Sequence, residues 1–145
     1  MSVPMRGLLG FVSAAISVLV FHQGMWALLH AFGLMPPPYP VGPVPPYSVP
    51  RILDLCFWGG LYGIVFGLLL PRLTRSGPLW LWGLGLGVLA ALIGMFIVAP
   101  LKGHPIASSL TPLAIIRSLL INGFWGVGVG LILPLLMPRR LARMS

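Results

Sequence analysis

The residues best suited to chemistry in this chain are two histidines and a tryptophan spaced by four. His22, Trp26 and His30 fall on one face of an α-helix, with Gln23 beside them, because successive helical residues are rotated by about 100°. We expect His22 to be a neutral imidazole that is hydrogen-bonded within the bundle, to Gln23, Asn122 or a backbone carbonyl. The alternatives are axial ligation of haem or a chlorin and proton transfer. His22 and His30 would lie about 12 Å apart along the axis, too far for one metal ion to bind both. The spacing indicates a polar site, with His22 as the candidate axial ligand.

Other polar residues are expected to complete this site as a ligand pocket. The apolar segments contribute Asp54, Arg117 and Asn122, and the loops and their borders contribute Arg51, Lys102 and His104. Asp54 is the single acidic residue of the chain, so we expect it to be the counter-ion of Arg51 or Arg117. A salt bridge from Asp54 to Arg117 would fix two helices in register, whereas a proton or ion relay is the functional alternative.

Known catalytic motifs are absent from the sequence. It contains no G-x-S-x-G, phosphate-binding loop or H-E-x-x-H motif, and one carboxylate cannot supply an acid and base pair. The single cysteine, Cys56, has no partner for an intrachain disulfide. The three histidines follow no zinc or copper spacing. We therefore assign no catalytic residue, no metal site beyond the candidate His22, and no favoured cofactor.

Long apolar segments must position these residues. Each is close to or above the length of about 20 residues that crosses about 30 Å of hydrocarbon, and the composition, with 58% hydrophobic and 7% charged residues, agrees. The sequence predicts an all-α integral membrane four-helix bundle, one domain over residues 1–145. The predicted spans are 7–34, 52–70, 79–99 and 113–137, joined by loops at 35–50, 71–78 and 100–112 and followed by a basic tail at 138–145. The first span is too long for a signal peptide and is expected to remain in the protein.

The distribution of Lys and Arg predicts the orientation. Of the nine, Arg51, Lys102 and Arg117 lie on the side of the two longer loops, and the other six lie on the side of the termini. This imbalance predicts a bacterial inner-membrane protein with both termini in the cytoplasm. His22 would then lie near the bilayer centre. The net charge of +8 is scattered over segment ends rather than gathered on one face, so lipid headgroups and not nucleic acid are the expected partners.

Glycine spacing predicts how the helices associate. Small residues four apart let helix backbones approach closely, which supplies much of the association energy in lipid. The glycines with this spacing are Gly59, Gly63 and Gly67 in the second segment, Gly83 and Gly87 in the third, and Gly126 and Gly130 in the fourth. They predict packing within one monomer, with a homodimer face or a groove for a flat cofactor as alternatives.

A sequence pattern recurs between the two halves of the chain. The pattern F-W-G-x3-G-x7-P-R runs from Phe57 to Arg72 and again, 67 residues later, from Phe124 to Arg139. It predicts a duplicated helical hairpin with a pseudo-two-fold axis along the membrane normal. The alternative is chance similarity between two Gly- and Pro-rich stretches.

The loop at 35–50 contains eight prolines and no charge. Proline fixes φ and lacks an amide donor, so the loop is predicted to be an extended, semi-rigid strap across the outer face, above the polar pocket. Tyr39 and Tyr47 are suited to the headgroup interface.

These features lead to three functional hypotheses. The first is a non-catalytic subunit or assembly factor that packs Gly-rich helix faces against other membrane subunits or a second copy of itself. The second is a small transporter or permeation protein with an outward-facing polar pocket. The third is a haem- or pigment-binding redox subunit that uses His22.

Overall fold

Four long helices dominate the computed structural model, which describes residues 1–138. They are α1 (Val3–Ala31), α2 (Arg51–Ser76), α3 (Leu79–Leu101) and α4 (Pro112–Leu136). Each is long and apolar enough to cross a membrane, so the prediction of an all-helical chain with four segments of spanning length is confirmed. In the part of the chain that the structure describes, the remaining regular elements are short.

The connections differ from the predicted loops in three places. Between α1 and α2 lie two antiparallel strands, β1 (Pro43–Val44) and β2 (Val49–Pro50), and between α3 and α4 lies one helical turn, Ile106–Ser109. α2 continues through Pro71, six residues past its predicted end. Within this extension, the hydroxyl of Thr74 donates to the Leu70 carbonyl at 3.0 Å.

Both α1 and α3 end in the same hydrogen-bond pattern. The amide of Gly33 donates to His30 at 2.9 Å and that of Leu34 to Leu29 at 2.9 Å, and Gly103 and His104 repeat the pattern on Pro100 and Ala99. This is a Schellman motif, which requires a positive φ after the helix, and Gly33 and Gly103 have φ of 71° and 82°. The motif stops each helix and turns the chain toward the next loop.

Helices α1 and α4 form the centre of the bundle. α1 packs against α2 and α4, and α4 packs against α1 and α3, whereas α2 and α3 make few contacts with each other. A two-fold axis that exchanged the hairpins would make the α1–α4 and α2–α3 interfaces equivalent, which they are not. The duplication therefore stays a prediction from the sequence.

Glycines bring the helix backbones together within each hairpin. A Cβ on Gly63 of α2 would overlap the carbonyl oxygen of Gly10 in α1, and a Cβ on Gly83 of α3 would overlap that of Gly126 in α4. All seven glycines that the sequence predicted for packing have an atom of another helix of this chain within contact distance: Gly59, Gly63, Gly67, Gly83, Gly87, Gly126 and Gly130. These faces are occupied inside the monomer, so a partner subunit or a flat cofactor would have to contact other surfaces.

The two helical hairpins, α1–α2 and α3–α4, are joined through Trp125. Its indole Nε1 donates to the Ala14 carbonyl at 3.1 Å, and the hydroxyl of Ser17 donates to the Trp125 carbonyl at 2.6 Å. Ala14, Val18, Phe66, Val129 and Leu133 are among the side chains of the surrounding apolar core. The reciprocal hydrogen bonds fix α1 against α4 in one register.

We predict that Gly63→Val lowers the free energy of unfolding by about 1–3 kcal/mol or more, because the added side chain meets backbone atoms that cannot move aside. Gly24→Val is the matched control, since a Cβ on Gly24 has no atom within 4 Å. Denaturant titration of the purified protein in detergent measures both. Equal stability of the two variants would contradict the close α1–α2 contact.

Candidate functional site

A groove lies between α2 and the β1–β2 hairpin, beside Lys102, the residue that follows α3. Two adjoining cavities of about 660 and 500 Å³ form it, and both are lined by Val44, Pro45, Asp54 and Lys102. We call it the hairpin groove, because the β1–β2 hairpin forms one of its walls.

The charged residues of the groove are Arg51, Asp54 and Lys102. The Asp54 Oδ1 accepts a hydrogen bond from the Trp58 indole at 3.1 Å, and among residues 1–138 no lysine or arginine forms a salt bridge with it. The predicted ion pair of Asp54 with Arg51 or Arg117 is therefore wrong. The physical reason for Arg117 is that α4 packs closely on α1 and α3 and meets α2 chiefly through side chains such as Trp125 against Tyr62.

Arg117 lies apart from the groove. It is half-buried on α4, and its Nε is buried without a hydrogen-bond partner in the described residues. Lys102 and His104 lie in the exposed loop after α3, where the amide of His104 caps the helix. Of the three, Lys102 lines the groove.

Away from its charged residues, the wall of the groove is apolar. Phe57 and Trp58 are each about half exposed, at 51% and 54%, and their rings meet edge to face with centroids 5.6 Å apart. Leu53 extends this wall. The groove therefore combines charged groups at one end with aromatic and aliphatic surface along its length.

A smaller cavity of about 110 Å³ lies behind the groove. All four helices line it, with His22 and Val18 from α1, Tyr62 from α2, Ala90 from α3 and Asn122 from α4. Its wall also includes Leu55 and Trp58, which line the groove as well. We call it the central cavity. The structure thus brings two of the predicted pocket residues together there, His22 and Asn122.

The imidazole of His22 has a fixed role beside this cavity. Its Nδ1 is 3.1 Å from the side-chain nitrogen of Gln23, while the Gln23 oxygen accepts the Tyr39 amide at 2.6 Å. The Gln23 nitrogen is thus the donor, so Nδ1 of His22 accepts and its proton is on Nε2. An imidazole in this state offers no free lone pair to a metal, which counts against axial ligation through His22.

The rest of the predicted polar face on α1 holds the proline-rich loop. The Trp26 indole donates to the Pro36 carbonyl at 2.8 Å, and His30 Nδ1 donates to the Met35 carbonyl at 2.9 Å. With Gln23, these side chains bind the loop backbone and not a ligand. The sequence did contain a signal for this role, because the backbone groups of a proline-rich loop need hydrogen-bond partners where the loop lies beside an apolar helix.

The loop is folded and not an extended strap, which corrects the prediction. Four of the five residues from Pro36 to Pro40 lack an amide hydrogen, and Tyr39, with φ of 55°, supplies the remaining one. The Tyr39 hydroxyl donates to the Leu19 carbonyl at 2.7 Å, so this segment runs down the side of α1. The chain then returns to cap α2, whose Arg51 and Ile52 amides donate to loop carbonyls at 3.0 and 2.8 Å.

The depth of His22 in the bilayer stays a prediction. Along the bundle, His22 lies beside the central cavity, which Tyr62, Ala90 and Asn122 line from the middle parts of the other three helices.

We predict that Gln23→Leu detaches this loop, because the Tyr39 amide loses its acceptor and an unsatisfied buried donor costs about 1–3 kcal/mol. Hydrogen exchange of the Tyr39 amide should accelerate about ten-fold or more. Asn122→Leu makes the same chemical change at a residue whose amide bonds only within α4, to Ser118, and should leave the loop protected. Unchanged exchange in Gln23→Leu would refute the anchor.

Metal and cofactor chemistry has little support in the site geometry. Within residues 1–138, no group of three or more His, Cys, Asp or Glu side chains is placed to hold a metal ion. Comparison with models of protein families, with curated proteins and with solved structures finds no match to this chain. The function therefore has to be argued from the arrangement of its own residues.

Proposed function

We propose that the protein is a non-catalytic subunit or assembly factor that binds a partner membrane protein through the exposed face of α3. One observation carries this proposal: α3 is the most apolar of the four helices and the least buried. Only 17% of the most apolar 18-residue stretch of α3 is buried, whereas 44% of the corresponding stretch of α4 is buried. Although α3 packs closely on α4, most of its apolar surface remains available to another helix.

The exposed face of α3 has the form of a helix-packing surface. Leu81, Gly85, Leu89, Leu92 and Phe96 are all exposed and fall on one side of the helix. A Cβ on Gly85 would meet no atom within 4 Å, so this glycine leaves a gap between leucines into which a side chain of a partner helix can pack. Such close packing is the main source of helix association in lipid.

The site geometry supports a non-catalytic role over the redox alternative. The central cavity of about 110 Å³ is well below the range of about 300–1,000 Å³ that is usual for pockets of larger organic ligands. His22 beside it is engaged through Nδ1 with Gln23. A haem or pigment would have to displace both the helices and this hydrogen bond.

A second candidate is a solute-binding or transport protein, which the proximity of the hairpin groove to the central cavity favours. Leu55 and Trp58 line both spaces. Elsewhere the space between the helix pairs is filled by a buried core that includes Phe66, Val129 and Leu133. Permeation would require this core to open, so the arrangement supports binding more than transport.

We predict that Gly85→Leu releases the partner, because the larger side chain fills the gap on α3. Affinity purification from native membranes in mild detergent measures the complex, and the released variant should be recovered without a partner, as a single 15.6 kDa chain on a denaturing gel. Gly24→Leu is the matched control, since Gly24 is equally open but lies on α1. A wild-type protein that elutes alone, or a complex that survives Gly85→Leu, would contradict the proposal.

We also propose a bacterial inner-membrane location with both termini in the cytoplasm, supported by the excess of Lys and Arg on the terminal side. In a Cys56→Ala background, Ser48→Cys in the hairpin should react with a membrane-impermeant thiol reagent on intact cells. Ser76→Cys, which is also exposed but at the other end of α2, should react only after lysis. The opposite labelling pattern would invert the topology.

A further inference from the structure

We propose that the hairpin groove binds a phospholipid whose headgroup carries both a phosphate and a primary ammonium, an aminophospholipid. The headgroup lies among Arg51, Asp54 and Lys102, and one acyl chain lies along Leu53, Phe57 and Trp58. This assigns a ligand to a surface of α2 and the hairpin, separate from the α3 face that contacts the protein partner.

The charges of the groove match such a headgroup. Arg51 and Lys102 can bind a phosphate, and Asp54 can accept hydrogen bonds from an ammonium. All three line the same cavity of about 500 Å³, yet Asp54 forms no salt bridge with either cation within the part of the chain that the structure describes. Opposite charges that line one open groove without forming an ion pair favour a ligand that carries both signs.

Asp54 has capacity for a ligand. Among residues 1–138, its carboxylate takes part in one hydrogen bond, from the Trp58 indole to Oδ1, so Oδ2 is available. Asp54 is half-buried in the first turn of α2, where the helix dipole favours a negative charge. A carboxylate beside an apolar surface needs a cationic partner, and the lipid ammonium supplies it.

The shape of the groove fits an amphiphile better than a solute. The adjoining cavity of about 660 Å³ is walled mostly by apolar residues, among them Leu53, Phe57 and Trp58. The exposed halves of these aromatic rings face the space in which an acyl chain would lie. Charges at one end and apolar surface along the side are the layout of a phospholipid.

Native mass spectrometry of the purified full chain with three lipids of identical acyl chains tests the proposal. Phosphatidylethanolamine has the primary ammonium, phosphatidylcholine has a quaternary one that cannot donate a hydrogen bond, and phosphatidylglycerol has no amine. The protein should prefer phosphatidylethanolamine by about ten-fold over either, as expected for one hydrogen bond to a charged group. Asp54→Asn should abolish the preference, and Lys102→Gln should weaken binding of all three.

Two further variants separate the groove from other effects. Leu53→Trp narrows the apolar wall without changing a charge, so it should lower total binding and keep the preference among headgroups. Arg75→Gln removes an exposed cation at the far end of α2 and should change nothing. Equal binding of the three lipids by the wild type, a preference that survives Asp54→Asn, or a lipid-free dimer in the same spectra would overturn the proposal.

Discussion

The contacts between glycine backbones within each helical hairpin, α1–α2 and α3–α4, determine the rest of this structure. Gly63 against Gly10 and Gly83 against Gly126 bring each pair of helices to a distance that side chains would prevent. Trp125 and Ser17 then join the pairs through α1 and α4. Because both outer helices pack on the central pair, α2 and α3 make few contacts with each other.

The polar residues at the end of the bundle that carries the β1–β2 hairpin have two different roles. Gln23, Trp26 and His30 satisfy the backbone of the proline-rich loop, as every segment beside an apolar helix requires. Asp54 and Lys102, in contrast, remain open to the groove. A polar residue therefore has a structural role where the loop contacts it, and is available to a ligand where the loop does not.

The sequence was sufficient to predict the four helices but not the arrangement of the candidate site. Length and hydropathy predicted four spans because those properties are local, and glycine spacing identified residues that do lie at helix contacts. The pairing of Asp54 with Arg117 failed because sequence cannot show how the helices are arranged: α2 packs mainly on α1 and meets α4 through side chains such as Tyr62 against Trp125. The hydrogen bond between Gln23 and His22 could be anticipated because the two residues are adjacent. The second role of Gln23 could not, since its partner Tyr39 lies beyond a Schellman turn at Gly33 that reverses the chain.

The conformation of Tyr39 explains why a buried glutamine is present on α1. The run from Pro36 to Pro40 is interrupted at the one position where φ is 55°, an angle that a pyrrolidine ring cannot reach. An ordinary residue has to stand there, and it introduces an amide hydrogen. A single backbone angle in the loop thus dictates the side-chain chemistry of a helix sixteen positions earlier.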